Sequence, residues 1–148
     1  MRGYLSGMSS SPAILEKRLY TATATSVGGR DGHAKTDDGT LDLTMTPPGS
    51  NKPGTNPEQL FAAGYAACFG SAIAAVARIQ KITPGNISVT TKVSLGTVGQ
   101  GYGLAVELTA SLPDLPHDQA QALVTAAHQV CPYSNATRGN IVVDVKLA

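Results

Sequence analysis

The sequence contains two cysteines, Cys68 and Cys131, one inside a long apolar stretch and one directly before Pro132. A thiol attacks only as its thiolate, and an apolar setting raises the thiol pKa, so nucleophilic chemistry at Cys68 needs a nearby positive charge. Arg30, inside Gly28-Gly29-Arg30-Asp31-Gly32, is the cation whose turn context could deliver it. A carboxylate beside Cys68 would by itself oppose ionisation, so Glu58 helps only by gripping and orienting Arg30. A bidentate pair of that kind leaves guanidinium donors for the sulfur and a substrate. Each residue also has a plainer reading: the thiols as small buried hydrophobes, Arg30 as a solvated turn residue, and Glu58 as a complement to a helix dipole.

The rest of the composition narrows the setting. The 148 residues are 42% apolar and 14% charged, with net charge +1, which fits one domain with a real core. Eleven basic residues matched by ten acidic ones argue against nucleic acid and against a polybasic membrane surface. Two distant cysteines are not a secreted disulfide scaffold, and neither they nor His33, His117 and His128 have metal-ligand spacing, so no metal is expected. A reducing, cytoplasmic location is the expectation. The N-terminus lacks the apolar run of a signal peptide, and residues 1–13 read as a flexible lead-in to a single domain over 14–148. Residues 60–77 carry no charge, but eight of them are Ala and two are Gly, which favours a closely packed core helix over a membrane span.

These residues need a scaffold, and the patterning predicts one. Residues 17–27 alternate with period two, glycines follow, and residues 35–45 return, with a second break at Asp37-Asp38-Gly39. After a Pro/Gly-rich loop, Asn56 caps a helix over 57–80 that has Pro57 in its first turn. Residues 87–98 and 104–112 form a second hairpin, 116–130 a second helix, and 141–147 a last strand. The order hairpin, helix, hairpin, helix, strand defines an α+β domain, with antiparallel sheets packed on a long central buried helix.

Three segments carry a family resemblance: Leu19-Tyr20-Thr21-Ala22 leading to Gly28-Gly29-Arg30-Asp31-Gly32, the run Asn56-Pro57-Glu58-Gln59-Leu60-Phe61-Ala62-Ala63-Gly64-Tyr65-Ala66-Ala67-Cys68-Phe69, and His128-Gln129-Val130-Cys131-Pro132-Tyr133-Ser134-Asn135-Ala136. In order and spacing they closely resemble the organic hydroperoxide resistance proteins, from about Leu19 to the C-terminus. The resemblance implies a thiol peroxidase for organic, fatty-acid-like hydroperoxides, built as an intertwined homodimer. It implies Cys68 as the peroxidatic and Cys131 as the resolving cysteine, with Arg30 and Glu58 as the activating pair. Cys68 would become a sulfenic acid as an alcohol leaves, and Cys131 would close a disulfide with loss of water. Dihydrolipoamide or a lipoylated protein would regenerate the thiols, with no metal, haem or flavin cofactor. The alternatives are an osmotically inducible type of hydroperoxide reductase with another substrate preference, or a non-catalytic thiol redox sensor or apolar-ligand binder.

Spacing adds one geometric expectation. On one regular helix Glu58 and Cys68 are about 15 Å apart along the axis, too far to share a site in one chain. A two-fold axis near Ala63 would bring them together, giving composite sites with Arg30 and Glu58 from one subunit and Cys68 and Cys131 from the other. Phe61, Tyr65 and Phe69 are candidates to line a pocket for an organic tail, with Tyr133 offering its hydroxyl, although core packing accounts for each as well. The loop at residues 47–54 is a candidate cover, and His128 reads as structural.

Overall fold

The structure is a computed structural model and describes residues 11–148; the lead-in expected over residues 1–13 lies outside it as far as residue 10. The chain forms two compact units, the first ending at Gly54 and the second running from Thr55 to Ala148.

The first unit is an antiparallel sheet of β1 (Ala24–Val27), β2 (His33–Thr36) and β3 (Asp42–Thr44). A single 3-10 turn, Gly29–Asp31, joins β1 to β2, entered through Gly28 at φ 80. Gly32 closes it, since a Cβ there would lie 1.8 Å from the Val27 carbonyl. The period-two pattern starts at residue 17, but pairing starts at Ala24, because β2 ends at Thr36 and offers no backbone partner further upstream than Thr23, whose carbonyl accepts from Asp37 N–H. The break at Asp37-Asp38-Gly39 is present. Among the described residues of this unit only Met45 and Thr46 are buried, and β1 is exposed throughout.

The second unit holds α1 (Pro57–Ile79), β4 (Ser88–Val98), β5 (Gly101–Ser111), α2 (His117–Val130), α3 (Pro132–Thr137) and β6 (Val143–Leu147). Asn56 caps α1 as its side chain accepts from the Gln59 N–H at 2.9 Å. β4 and β5 pair along their whole length around Gly99-Gln100, with Gly99 at φ 56 as a two-residue hairpin loop requires. The antiparallel expectation holds for both hairpins, whereas β6 adds to β5 in parallel. The intervening helices carry the chain back along the sheet, as a parallel neighbour demands.

Inward residues of this sheet, among them Val89, Val93, Val106, Leu108 and Ala110, meet Tyr65, Phe69, Ile73 and Val76 of α1 and Leu123, Val124 and Ala127 of α2. Lys92, Glu107, Asp144 and Lys146 alternate with them on the outer face, where Lys146 lies 3.1 Å from Asp144. α1 is long and apolar enough to cross a membrane, yet its buried stripe is the core of this unit, which identifies it as a core helix. Its burial is one-sided. Ala63, Ala67 and Ser71 on the opposite side are exposed, because the sheet and α2 cover only the face that carries the large side chains.

Candidate active site

Cys68 sits on α1 beside Phe69, on the edge of the stripe that faces α2 and α3, and is half-buried. Cys131 ends α2 and is 0% exposed. Pro132 forces the break: it cannot continue α2, but it suits the first position of α3. The corner it creates turns Cys131 toward α1 and leaves the two sulfurs 3.5 Å apart, both as free thiols. That separation is close to covalent reach, and the packing of α1 against α2 and α3 produces it.

Burial pushes the Cys68 thiol above its ordinary pKa, the backbone N–H of Tyr133 donating to the sulfur works against that, and the neighbouring Cys131 sulfur raises it further. The net direction is upward, so a thiolate at Cys68 calls for a further positive charge. Arg30 lies in the 3-10 turn of the first unit. Glu58 lies in the first turn of α1, and because α1 is continuous it is ten residues and about 15 Å from Cys68 along the axis. Within the second unit, then, the structure joins Cys68 to Cys131 and sets Glu58 about three turns of α1 away from Cys68.

Three aromatic rings, two from α1 and one from α3, form one cluster. Phe61, Tyr65 and Tyr133 contact one another with centroids 5.7 to 6.1 Å apart, the Phe61–Tyr65 pair edge to face. Tyr133 lies over a notch in α1 at Gly64, where an added Cβ would sit 2.8 Å from its Oη. Phe61 and Tyr133, with Leu104, Ala136, Thr137 and Ile141, line a cavity of about 340 Å³. Tyr133 thus touches both the cavity and, through its N–H, Cys68. Tyr65 is fully buried beneath, and Phe69 lies elsewhere, fully buried with its ring 6.4 Å from that of His128. Among the described residues no three His, Cys, Asp or Glu side chains cluster as a metal-ligand set would.

Sequence reasoning missed Leu104, Ala136 and Ile141, which reach the cavity from β5, from α3 and from the segment before β6, and the Gly64 notch, which looks like one more small residue among alanines. Ser134 also escaped it, although its place three residues after Cys131, as His128 is three before, was the available signal.

A half-buried thiol, a buried thiol at contact distance and an apolar cavity, set on an α+β scaffold with a long core helix, define a thiol-pair protein of the OsmC-like kind, and the OsmC-like protein family model matches residues 49–146. The chain belongs to that family, within the group named for organic hydroperoxide resistance. It is 51% identical to the organic hydroperoxide resistance protein of Xanthomonas axonopodis pv. citri, over 90% of this chain and 97% of that one. The Legionella pneumophila organic hydroperoxide resistance protein structure superposes with a TM-score of 0.85 at 51% identity, covering 89% of this chain and 99% of that one. OhrB of Bacillus subtilis gives 0.84 at 46% identity, covering 88% and 100%.

Proposed function

We propose that this chain is a cysteine-based hydroperoxide reductase that detoxifies organic, fatty-acid-like hydroperoxides. The observation that carries the reading is the pair of thiols 3.5 Å apart, with Tyr133, two residues after Cys131, in the wall of an apolar cavity. Cys68 thiolate attacks the terminal peroxide oxygen, the O–O bond breaks, and the alkoxide takes a proton and leaves as alcohol. The Cys131 thiol then displaces hydroxide from the Cys68 sulfenic acid, giving a disulfide and water. Phe61, Tyr133, Leu104 and Ile141 hold the organic tail, and dihydrolipoamide or a lipoylated protein returns two electrons and two protons to the disulfide. Thiols that cycle in this way suit a reducing, cytoplasmic setting.

Arg30, oriented by Glu58, supplies the positive charge that Cys68 needs. The working unit is a homodimer with composite sites. Its support is the three-stranded sheet of the first unit, where Met45 and Thr46 are the only buried residues among those described, less core than such a sheet needs by itself, together with the exposed small-residue side of α1.

The test is consumption of an organic hydroperoxide under dihydrolipoamide. Sustained turnover that disappears in Cys68→Ser and falls steeply in Arg30→Ala is expected, and equal negligible rates in all three proteins would overturn the reading. Mixing the impaired Arg30→Ala protein with the inactive Cys68→Ser protein restores one intact site per heterodimer if the sites are composite. No recovery in a demonstrated heterodimer places both residues of a site on one chain.

A further inference from the structure

Cys131 occupies a corner whose angle its own backbone does not fix. It lies at φ −63 and ψ 123, the extended conformation favoured before proline. Its N–H donates to the Ala127 carbonyl and its carbonyl accepts from the Asn135 N–H, each at 2.9 Å and each within one helix. Side chains span the corner. His128 Nδ1 and Ser134 Oγ lie 2.8 Å apart across it, and Ser134 Oγ is also 2.9 Å from the Tyr65 hydroxyl on α1. Tyr65 is within 3.3 Å of the Thr137 hydroxyl, which donates to the Tyr133 carbonyl at 2.9 Å. Outside these, the Arg138 guanidinium donates to the His128 carbonyl and to Asn135 Oδ1.

The chain of contacts therefore runs from α1, three residues before Cys68, to both arms of the corner that carries Cys131. Tyr65, Ser134 and Cys131 are all 0% exposed. Buried hydroxyls are unfavourable unless they are bonded, and a fully bonded buried network selects one arrangement over its near neighbours. The mechanism above makes no use of this network, and the groups it holds in register are the two sulfurs and the Tyr133 N–H.

Resting on the peroxidase reading above, we propose that Ser134, clamped between His128 and Tyr65, is a positioning residue for the second chemical step: it holds the α2–α3 corner so that the Cys68 sulfenic acid closes to a disulfide before it is oxidised again. Closure forms the S–S bond and releases water. The competing step transfers an oxygen from a second hydroperoxide to the sulfenic sulfur, giving a sulfinic acid and a second alcohol. A corner that samples other angles lowers the effective concentration of Cys131 and leaves the second route open.

Ser134→Ala and Tyr65→Phe each remove one hydroxyl with little change in volume, and Ile73→Val serves as a core variant away from the network. Native protein and variants are treated with an excess of cumene hydroperoxide, and disulfide and sulfinic acid are separated by intact mass. The same proteins are equilibrated with glutathione buffers to obtain the disulfide potential, which needs no peroxidase activity. Both network variants are expected to raise the ratio of sulfinic acid to disulfide about tenfold and to make the disulfide about 30 mV easier to reduce, the equivalent of that tenfold change for two electrons. The double variant is expected to add little to either single one, since both break the same chain. Ile73→Val should lower the melting temperature and leave the partition and the potential at their native values. If Ser134→Ala and Tyr65→Phe melt lower but keep the native partition and potential, the network is structural and the proposal fails. If the native protein forms no Cys68–Cys131 disulfide with the hydroperoxide while glutathione disulfide does form it, the peroxidase reading fails instead.

Discussion

Gly64→Ala sets helix propensity directly against the seating of Tyr133. In an exposed helix interior, replacing Gly by Ala stabilises by about 1 kcal/mol. Here the new Cβ would stand 2.8 Å from Tyr133 Oη and 3.3 Å from Cε2 and Cζ. Ordinary carbon contacts lie near 3.5 Å, so the ring must retreat by roughly half an ångström. It cannot do so freely, because Phe61 and Tyr65 pack against it at 5.8 and 5.7 Å. Overpacking of this kind typically destabilises by about 1–3 kcal/mol, which leaves a net loss of about 0–2 kcal/mol. For a chain of this size that is a fall in Tm of up to about 8 °C. The displaced ring also moves a wall of the 340 Å³ cavity and the N–H donor on Cys68. The variant should therefore lose kcat/KM for a bulky hydroperoxide by roughly tenfold, corresponding to about 1.4 kcal/mol, and lose less for a small one. Thermal melting and steady-state kinetics with both substrates decide the matter. A variant that melts higher and keeps the native preference for the bulky substrate would show that Tyr133 is not seated on Gly64.

The raised Cys68 pKa implies that the rate of peroxide consumption in Arg30→Ala climbs along an acid limb displaced to higher pH than in the native protein; a pH profile of kcat/KM with an unmoved limb would contradict the role given to Arg30. Burial, and then the charge of Arg138, lower the pKa of His128 below its ordinary value of about 6.5. The unfolded chain thus binds that proton first as pH falls, so stability is complete above about pH 6.5 and declines below it. Melting curves should show this decline weakened in His128→Gln. Leu108→Ala, at a fully buried site on β5, should cost about 2–5 kcal/mol in a denaturant titration, and a loss under 1 kcal/mol would contradict its place in the core.

Elements that announce themselves locally were legible. Asn56, Pro57 and the uncharged run after them mark where α1 starts, and the alternation through Val89, Val93, Val106 and Leu108 marks both strands of the second hairpin and their inward faces. The direction of β6 was not legible, because its own residues read alike in either orientation and the path of α2 and α3 decides between them. α3 was missed because Pro132 signals an ending as strongly as a beginning, and six residues carry little periodicity. Strand β1 is shorter than its pattern, since a strand extends only as far as its partner does. At the site, the residue types were readable from thiol chemistry, whereas the meeting of Cys68 with Cys131 depends on the crossing of three helices and on one corner. The hydroxyl network around Ser134 depends on the same crossing, so Tyr65 looked like one more apolar position.

The two sulfurs stand 63 positions apart in sequence but in contact in space. A bond between them would close a loop of that length, and the chain-entropy relation assigns such a cross-link about 4 kcal/mol against the unfolded state. Around a thermodynamic cycle the same free energy appears on the other side, as the amount by which folding favours the bond over the two separate thiols. Heat resistance would then report how much of the population is oxidised, with the oxidised form melting roughly ten degrees above the reduced one.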